Sequence, residues 1–184
     1  MNRLKEYRFC PRCGGKLESK IVKRGEPARL VCLSCDFVFY IDPKIAACTI
    51  VERSGKILLL KRAIEPAGGA WVIPGGFVDV GETVLQAAVR ETKEEALLDV
   101  EPGPLVGVYS YPGVSVIVIV YEAQIIRGIP GAGDESLEAG LFLPSEIPWP
   151  SLAFTSTMDA LKDYLDRRHP EATLSWNRRS PRDI

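Results

Sequence analysis

Two stretches of the chain repeat their apolar residues with a helical period. From Thr83 the run TVLQAAVRETKEEALL places apolar residues at Val84, Leu85, Ala88, Val89 and Leu98 among strong helix formers, which predicts an amphipathic helix over 83–98. Thr83 and Gln86 stand at the spacing of a capping box at its start. Residues 155–168, with Met158, Leu161 and Leu165 on one face, predict a second, closing helix. Strand-like runs occupy 46–52 and 56–61, with a turn at Ser54 and Gly55 between them, and others follow at 105–110 and 114–126, with short ones at 71–73 and 141–143. The SVIVIVY run at 115–121 is apolar without alternation, the pattern of a central strand covered on both faces. Near the N-terminus, Ile21 and Val22 face Leu30 and Val31 across a Lys23-Arg24-Gly25-Glu26 turn, which predicts a small hairpin. Strands interleaved with helices make this an α/β chain; the tail from Glu171, with Arg178, Arg179 and Arg182, is polar and expected to pack poorly.

Composition removes several chemistries. No stretch approaches the roughly 20 apolar residues of a membrane span, and MNRLKEYRF holds no apolar signal segment, so a cytoplasmic protein without membrane contact is expected. Among 184 residues there is one histidine, His169, beside Pro170 at the end of the closing helix, where a surface position is expected. Ser-His-Asp and Cys-His arrangements therefore have almost nothing to be built from. A base that activates water must be a carboxylate or a metal-bound hydroxide.

Cys10-Pro11-Arg12-Cys13 and Cys32-Leu33-Ser34-Cys35 form two C-x2-C pairs around an 18-residue spacer. Four thiolates at this spacing read as a tetrahedral structural zinc site, and Gly14-Gly15 supplies a tight knuckle turn after the first pair. A reducing compartment favours zinc over disulfides. Residues 1–41 are thus a zinc ribbon, too small to fold on its apolar surface alone. The fifth cysteine, Cys48, lies in the apolar run IAACTIV and is expected in the core. Residues 1–44 carry ten Lys or Arg against five acids, and 45–184 carry thirteen against nineteen. A basic ribbon suits an anionic nucleotide, whereas the absence of a dense basic run does not favour nucleic acid as the partner.

The predicted first helix brings Glu91, Glu94 and Glu95 onto one face at i, i+3 and i+4, offset by Arg90 and Lys93. Like charges this close repel, and a hard divalent cation with oxygen ligands relieves them. Gly75 and Gly76 follow the AWVIP run, Glu82 stands six residues beyond Gly76, and Arg90 precedes Glu91.

Gly76, Glu82, Arg90, Glu91, Glu94, Glu95 and Leu98 together resemble the Nudix hydrolase signature G-x5-E-x7-R-E-U-x-E-E-x-G-U, in which U is a bulky aliphatic residue. Thr92 departs from it at an aliphatic position, and Leu97 stands where the last glycine is usual, so the helix is expected to run on to Asp99 or to end differently. The resemblance covers residues 42–168 and implies an α/β/α sandwich around a mixed sheet, residues 42–184 forming the Nudix domain. It implies magnesium or manganese held by Glu94 and Glu95 with the Gly75 carbonyl, Glu91 as ligand or general base, and Glu82 and Arg90 in support. A later-loop glutamate often serves as base or extra ligand in this family, which makes Glu135 and Glu138 candidates. A homodimer is implied by the resemblance alone.

The cysteine ribbon resembles that of the NADH pyrophosphatase group, but the S-Q-P-W-P-F-P-x-S motif of that group is missing here. FCPRCGG, CLSC, DPK, WVIPGGFVDVGE, ESLEAGLF and IPWPSLAFTS are more similar to zinc-ribbon ADP-ribose and FAD pyrophosphatases. That resemblance implies cleavage of a nucleoside diphosphate linked to another group, ADP-ribose or FAD first. Pro112 stands where many ADP-ribose pyrophosphatases have a proline, though it also suits a hairpin turn. Trp149 and Phe154 are candidate base-stacking residues equally at home in a core, and Arg62 is a fourth candidate substrate contact. Two rivals stay open: the same chemistry aimed at NADH or NAD-capped RNA, and a silent nucleotide sensor.

Overall fold

The computed structural model describes residues 7–168, so His169 and the polar tail lie outside the described residues. The chain divides into two compact units, Met1–Pro43 and Lys44–Ile184.

In the first unit, β1 (Leu17–Lys20), β2 (Arg29–Cys32) and β3 (Val38–Phe39) form an antiparallel sheet in that order. Each cysteine pair opens a knuckle closed by a residue of left-handed φ, Gly14 (φ 74°) bonding back to the Cys10 carbonyl and Asp36 (φ 55°) to that of Cys32. Cys10, Leu17, Leu30 and Cys32 are buried and make the core. The expected hairpin is shifted: β1 ends before Ile21, and Ile21 and Val22 are exposed rather than paired across the turn. The ribbon interior is instead completed by Cys35, Phe37, Phe39 and Ile41, which pack against those four core residues.

The second unit is built on β4 (Lys44–Arg53), β5 (Lys56–Arg62), β6 (Trp71–Val72), β7 (Gly75–Phe77), α1 (Val84–Ala96), β8 (Asp99–Tyr109), β9 (Val116–Arg127), β10 (Ser136–Phe142) and α2 (Thr155–Arg168). The strands make a seven-stranded mixed sheet along β10-β5-β4-β9-β8, with β6 on β5 and β7 on β4; β4 and β9 run parallel. Ser54 (φ 54°) and Gly55 (φ 76°) both take left-handed φ in the β4–β5 turn, the geometry whose twist suits a two-residue hairpin.

Alternation along β5 separates two cores. Ile57 and Leu59 pack with Ile50, Val120 and Leu161 of α2, while Leu58 and Leu60 pack with Val51, Ala96 and Leu98 at the end of α1. Helices therefore cover both faces, the α/β/α arrangement expected. The doubly covered strands are β4 and β5. β9 is central in order, but residues 116–119 are only partly buried, and of these Val116 and Val118 face an open cavity instead of a helix. β8 starts at Asp99, earlier than expected; Pro102 lies inside it, where the register shifts, which hid the strand from its sequence pattern. β10 is an edge strand with exposed polar residues and so begins at Ser136, well before the apolar run.

Candidate active site

The α1 helix starts as its capping box dictates: the Gln86 amide donates to Thr83 Oγ1 at 3.2 Å and the Thr83 amide to Gln86 Oε1 at 2.8 Å. Its buried face is made of small residues, Ala87, Ala88, Thr92 and Ala96, while Leu85 of the expected apolar stripe is exposed. Small residues let α1 lie close to β4, where Ala47 meets Ala87 and Ala88. The Thr92 hydroxyl donates to the Ala88 carbonyl at 2.7 Å and lies 2.7 Å from the equally buried Thr49 hydroxyl of β4. A hydroxyl has one proton, so Thr49 is the donor of that second bond. The helix and central strand are thus pinned by a polar pair where an aliphatic contact is usual.

Arg90 organises the acidic face. Its guanidinium grips Glu82 through two bonds of 3.1 and 2.8 Å and gives Nη1 to Glu91 (2.8 Å) and Glu94 (3.0 Å). It also bonds the Phe77 carbonyl at 3.0 Å, which ties α1 to β7. Charge-assisted bonds of this kind fix carboxylate orientation, and the Arg90 bonds together with the Asp79 amide hold the Glu82 carboxyl below its ordinary range. Gly75 crosses β4 so closely that a Cβ would overlap Ala47 and Cys48 backbone atoms, and a Cβ on Gly76 would overlap the Glu91 carboxyl group. The Gly75 amide donates to Glu95 Oε2 at 2.9 Å.

Burial raises the Glu95 pKa to about 7, against the pull of the Gly75 amide, and the charges of Glu91 and Glu135 add to the rise. Glu91 is pushed up by burial too, with Arg90 opposing and Glu94 and Glu135 assisting.

Glu135 arrives on a segment moored to α1. The helix does not run on to Asp99: it ends at Ala96, and Leu97 itself takes the left-handed conformation (φ 60°, ψ 29°) usually given to glycine, its amide bonding the Lys93 carbonyl. Two more terminal carbonyls are then met by the segment after β9, with the Gly131 amide on Ala96 (3.1 Å) and the Gly133 amide on Glu95 (2.9 Å). A Cβ at Gly133 would collide with the Glu94 carbonyl, so only glycine permits this approach.

Glu91, Glu94, Glu95 and Glu135 share the wall of a cavity of about 1120 Å³. Glu138 does not line it and pairs with Lys61 at 3.8 Å on the sheet edge. Arg62 and Phe154 do line it, the guanidinium lying 5.2 Å from the ring centroid and its Nε held by the Pro66 carbonyl. Pro112 and Trp149 are not among its lining residues. Pro112 sits in the turn closed by the Val114 amide on the Tyr111 carbonyl, and Trp149 packs against the core. Cys48 is buried and forms part of the wall, with burial and the charges of Glu95 and Glu91 pushing its thiol up to about 12, which leaves it protonated. Tyr111 and the first turn of α2 also line the cavity; sequence reasoning passed over them because neither carries a motif.

In the ribbon, the sulfurs of Cys10, Cys13, Cys32 and Cys35 lie within 4.8 Å of one another, with separations of 3.3, 3.5 and 3.9 Å among them. Tetrahedral zinc with Zn–S bonds of about 2.3 Å needs sulfurs roughly 3.8 Å apart, so the set fits that ion. Backbone amides of Arg12, Gly15 and Ser34 reach Cys10, Cys13 and Cys32 sulfurs at 3.4 Å each, the bonds that stabilise thiolates.

The NUDIX domain family profile matches residues 42–161 and the Nudix N-terminal profile residues 8–41. An ADP-ribose pyrophosphatase of Methanocaldococcus jannaschii is 38% identical over 83% of this chain and 86% of its own length. A NAD-capped RNA hydrolase NudC of Pectobacterium carotovorum is 30% identical over 78% of this chain, which spans about half (54%) of that protein. The crystal structure of a NUDIX hydrolase from Nitrosomonas europaea superposes with a TM-score of 0.84 at 39% identity, over 90% of this chain and 94% of that one. With both units matched and the acidic helix standing beside its glycine turn, the chain belongs to the Nudix hydrolase family, in the branch that carries an N-terminal ribbon.

Proposed function

We propose that this protein is a metal-dependent pyrophosphatase for a nucleoside diphosphate linked to another group, with ADP-ribose or FAD as substrate and AMP plus ribose 5-phosphate or FMN as products. The observation that supports it most is the convergence of Glu91, Glu94, Glu95 and Glu135 on one wall of a cavity large enough for such a substrate, with Arg62 and Phe154 also on its lining. Similarity to the M. jannaschii enzyme along most of both chains favours ADP-ribose within that class.

Among the described residues only the cysteine quartet gathers three or more candidate ligand atoms within 4.8 Å. The carboxylates are therefore no closed cage. They fit magnesium or manganese taken by one or two carboxylates, the octahedron being completed by water and phosphate oxygens. When bound, such a cation neutralises the diphosphate and acidifies a water. The chain's own part is to hold Glu91 and Glu94 through Arg90, to hold Glu95 through the Gly75 amide, and to take the water's proton on a carboxylate oxygen of Glu91 or Glu135. Zinc in the ribbon is structural, and the same reading carries a cytoplasmic homodimer, whose mass light scattering would check.

The test is product formation from equal concentrations of ADP-ribose, FAD, NADH and a sugar nucleotide with magnesium or manganese, beside Glu94→Gln and Glu95→Gln. Turnover of ADP-ribose or FAD that these variants lose supports the reading. Preferred turnover of NADH moves the assignment to the NudC-like chemistry, and bound nucleotide without turnover sinks the enzyme altogether. Glu91→Gln and Glu135→Gln then separate the base from a ligand, the base being the one whose loss lowers kcat while metal affinity holds.

A further inference from the structure

We infer that the first turn of α2 reads the nucleobase: Ser156 and Thr157, with the ring of Tyr111, form a base subsite in the cavity whose acidic wall takes the diphosphate. This rests on the hydrolase reading above. Ser156 and Thr157 line the cavity and are 8% and 3% exposed. Neither hydroxyl has a hydrogen-bond partner among the described residues, and neither is sealed from water. With both residues on the lining and no protein partner for either hydroxyl, what these two meet is the open cavity. The amides of this turn have no intrahelical acceptor, and the preceding residue, Phe154, has no side-chain acceptor to cap them. The turn therefore presents a row of donors to whatever fills the space.

The surroundings decide between a phosphate and a base. Val116, Val118, Ile73 and Ala153 line the same space and would desolvate an anion at great cost. Asp159, one turn further along α2, would repel one. A neutral heteroaromatic ring suits these walls, since its ring nitrogens and carbonyls accept from the hydroxyls and amides while its face lies on an aromatic side chain. Tyr111 is prepared for that contact: its hydroxyl donates to Asp159 Oδ2 at 2.7 Å, which fixes the ring against the same helix.

Calorimetric titration of the zinc-loaded full chain with AMP and with ribose 5-phosphate, which has a phosphate and sugar but no base, tests this directly. Ser156→Ala and Thr157→Val each weaken AMP about tenfold, the worth of a neutral hydrogen bond. Thr157→Ser, which keeps the hydroxyl, restores it, and ribose 5-phosphate is unaffected throughout. In turnover, KM for ADP-ribose rises by a similar factor with kcat unchanged. Equal weakening of both ligands, unchanged AMP binding in the variants, or wild-type AMP binding no tighter than ribose 5-phosphate overturns the subsite. If Thr157→Val does not fold, Ser156→Ala carries the test. These titrations involve no hydrolysis, so failure of the enzyme reading would show separately, as absent turnover by the wild type.

Discussion

Thr92 departs from the family pattern and puts a buried hydrogen-bonded pair with Thr49 where an aliphatic residue is usual. Thr92→Val keeps the shape but leaves the Thr49 hydroxyl buried without its acceptor, a cost of about 1–3 kcal/mol. Replacing both by Val removes donor and acceptor together, and denaturant unfolding should place the double variant closer to wild type than Thr92→Val alone, a coupling visible only in the full cycle. Glu95 makes the complementary case for charge. Its pKa is raised from 4.5 to about 7, so the folded, magnesium-free chain holds this proton more tightly than the unfolded one. The stability linked to it is present at low pH and is lost as pH rises from about 4.5 through about 7. Thermal unfolding of the zinc-loaded protein without magnesium should therefore show a fall over that window that Glu95→Gln flattens. Added magnesium should stabilise more at pH 8 than at pH 6, because its ligands must be deprotonated.

At the scale of elements, the end of α1 and the segment that follows β9 behave as one piece. Leu97 accepts a conformation that costs a non-glycine residue about 1–2 kcal/mol, and the exit it produces leaves the Glu95 and Ala96 carbonyls open to Gly133 and Gly131. Gly133→Ala drives a Cβ into the Glu94 carbonyl and must lift the segment away. Steady-state kinetics should show its kcat falling as far as that of Glu135→Gln, with a stability loss of about 1–2 kcal/mol for two lost hydrogen bonds. None of this mooring was legible in the sequence, where GAGDE reads as any acidic surface loop; its partners are backbone atoms some forty residues earlier. The start of α1 was legible in full, because Thr83 and Gln86 cap locally. So was the acidic face, since helical spacing alone places Glu91, Glu94 and Glu95 together. Glu138 shows the limit: only strand register reveals that it faces Lys61 on the sheet edge rather than the cavity.

For the whole molecule, the two units rest on different sources of stability. The larger has two apolar cores, one on each side of β4 and β5, whereas the ribbon has a handful of buried residues, two of them cysteines. Zinc held by the four cysteines, with an apparent binding energy of about 10–16 kcal/mol, would dominate a unit that small. A zinc-selective chelator should release one zinc per chain and expose the amides of 8–41 to hydrogen exchange, while those of β4, β5 and α1 stay protected; protected ribbon amides after metal loss would refute this. The pattern of cysteines announced the ribbon from sequence, and the interleaved runs announced an α/β chain, whose mixed sheet was implied by the Nudix resemblance. The cavity's far wall was announced by neither, because Tyr111 and the first turn of α2 meet only once the sheet is assembled.

The mooring of the Glu135 segment has one further consequence. Gly131 and Gly133 hold it by main-chain amides, and the side chains of Ile129, Pro130, Ala132 and Asp134 make none of those bonds. Those four positions are open to variation without disturbing where Glu135 stands. Of the four, Asp134 lines the cavity, so varying that position would reshape the wall for new leaving groups around an unchanged hydrolytic apparatus.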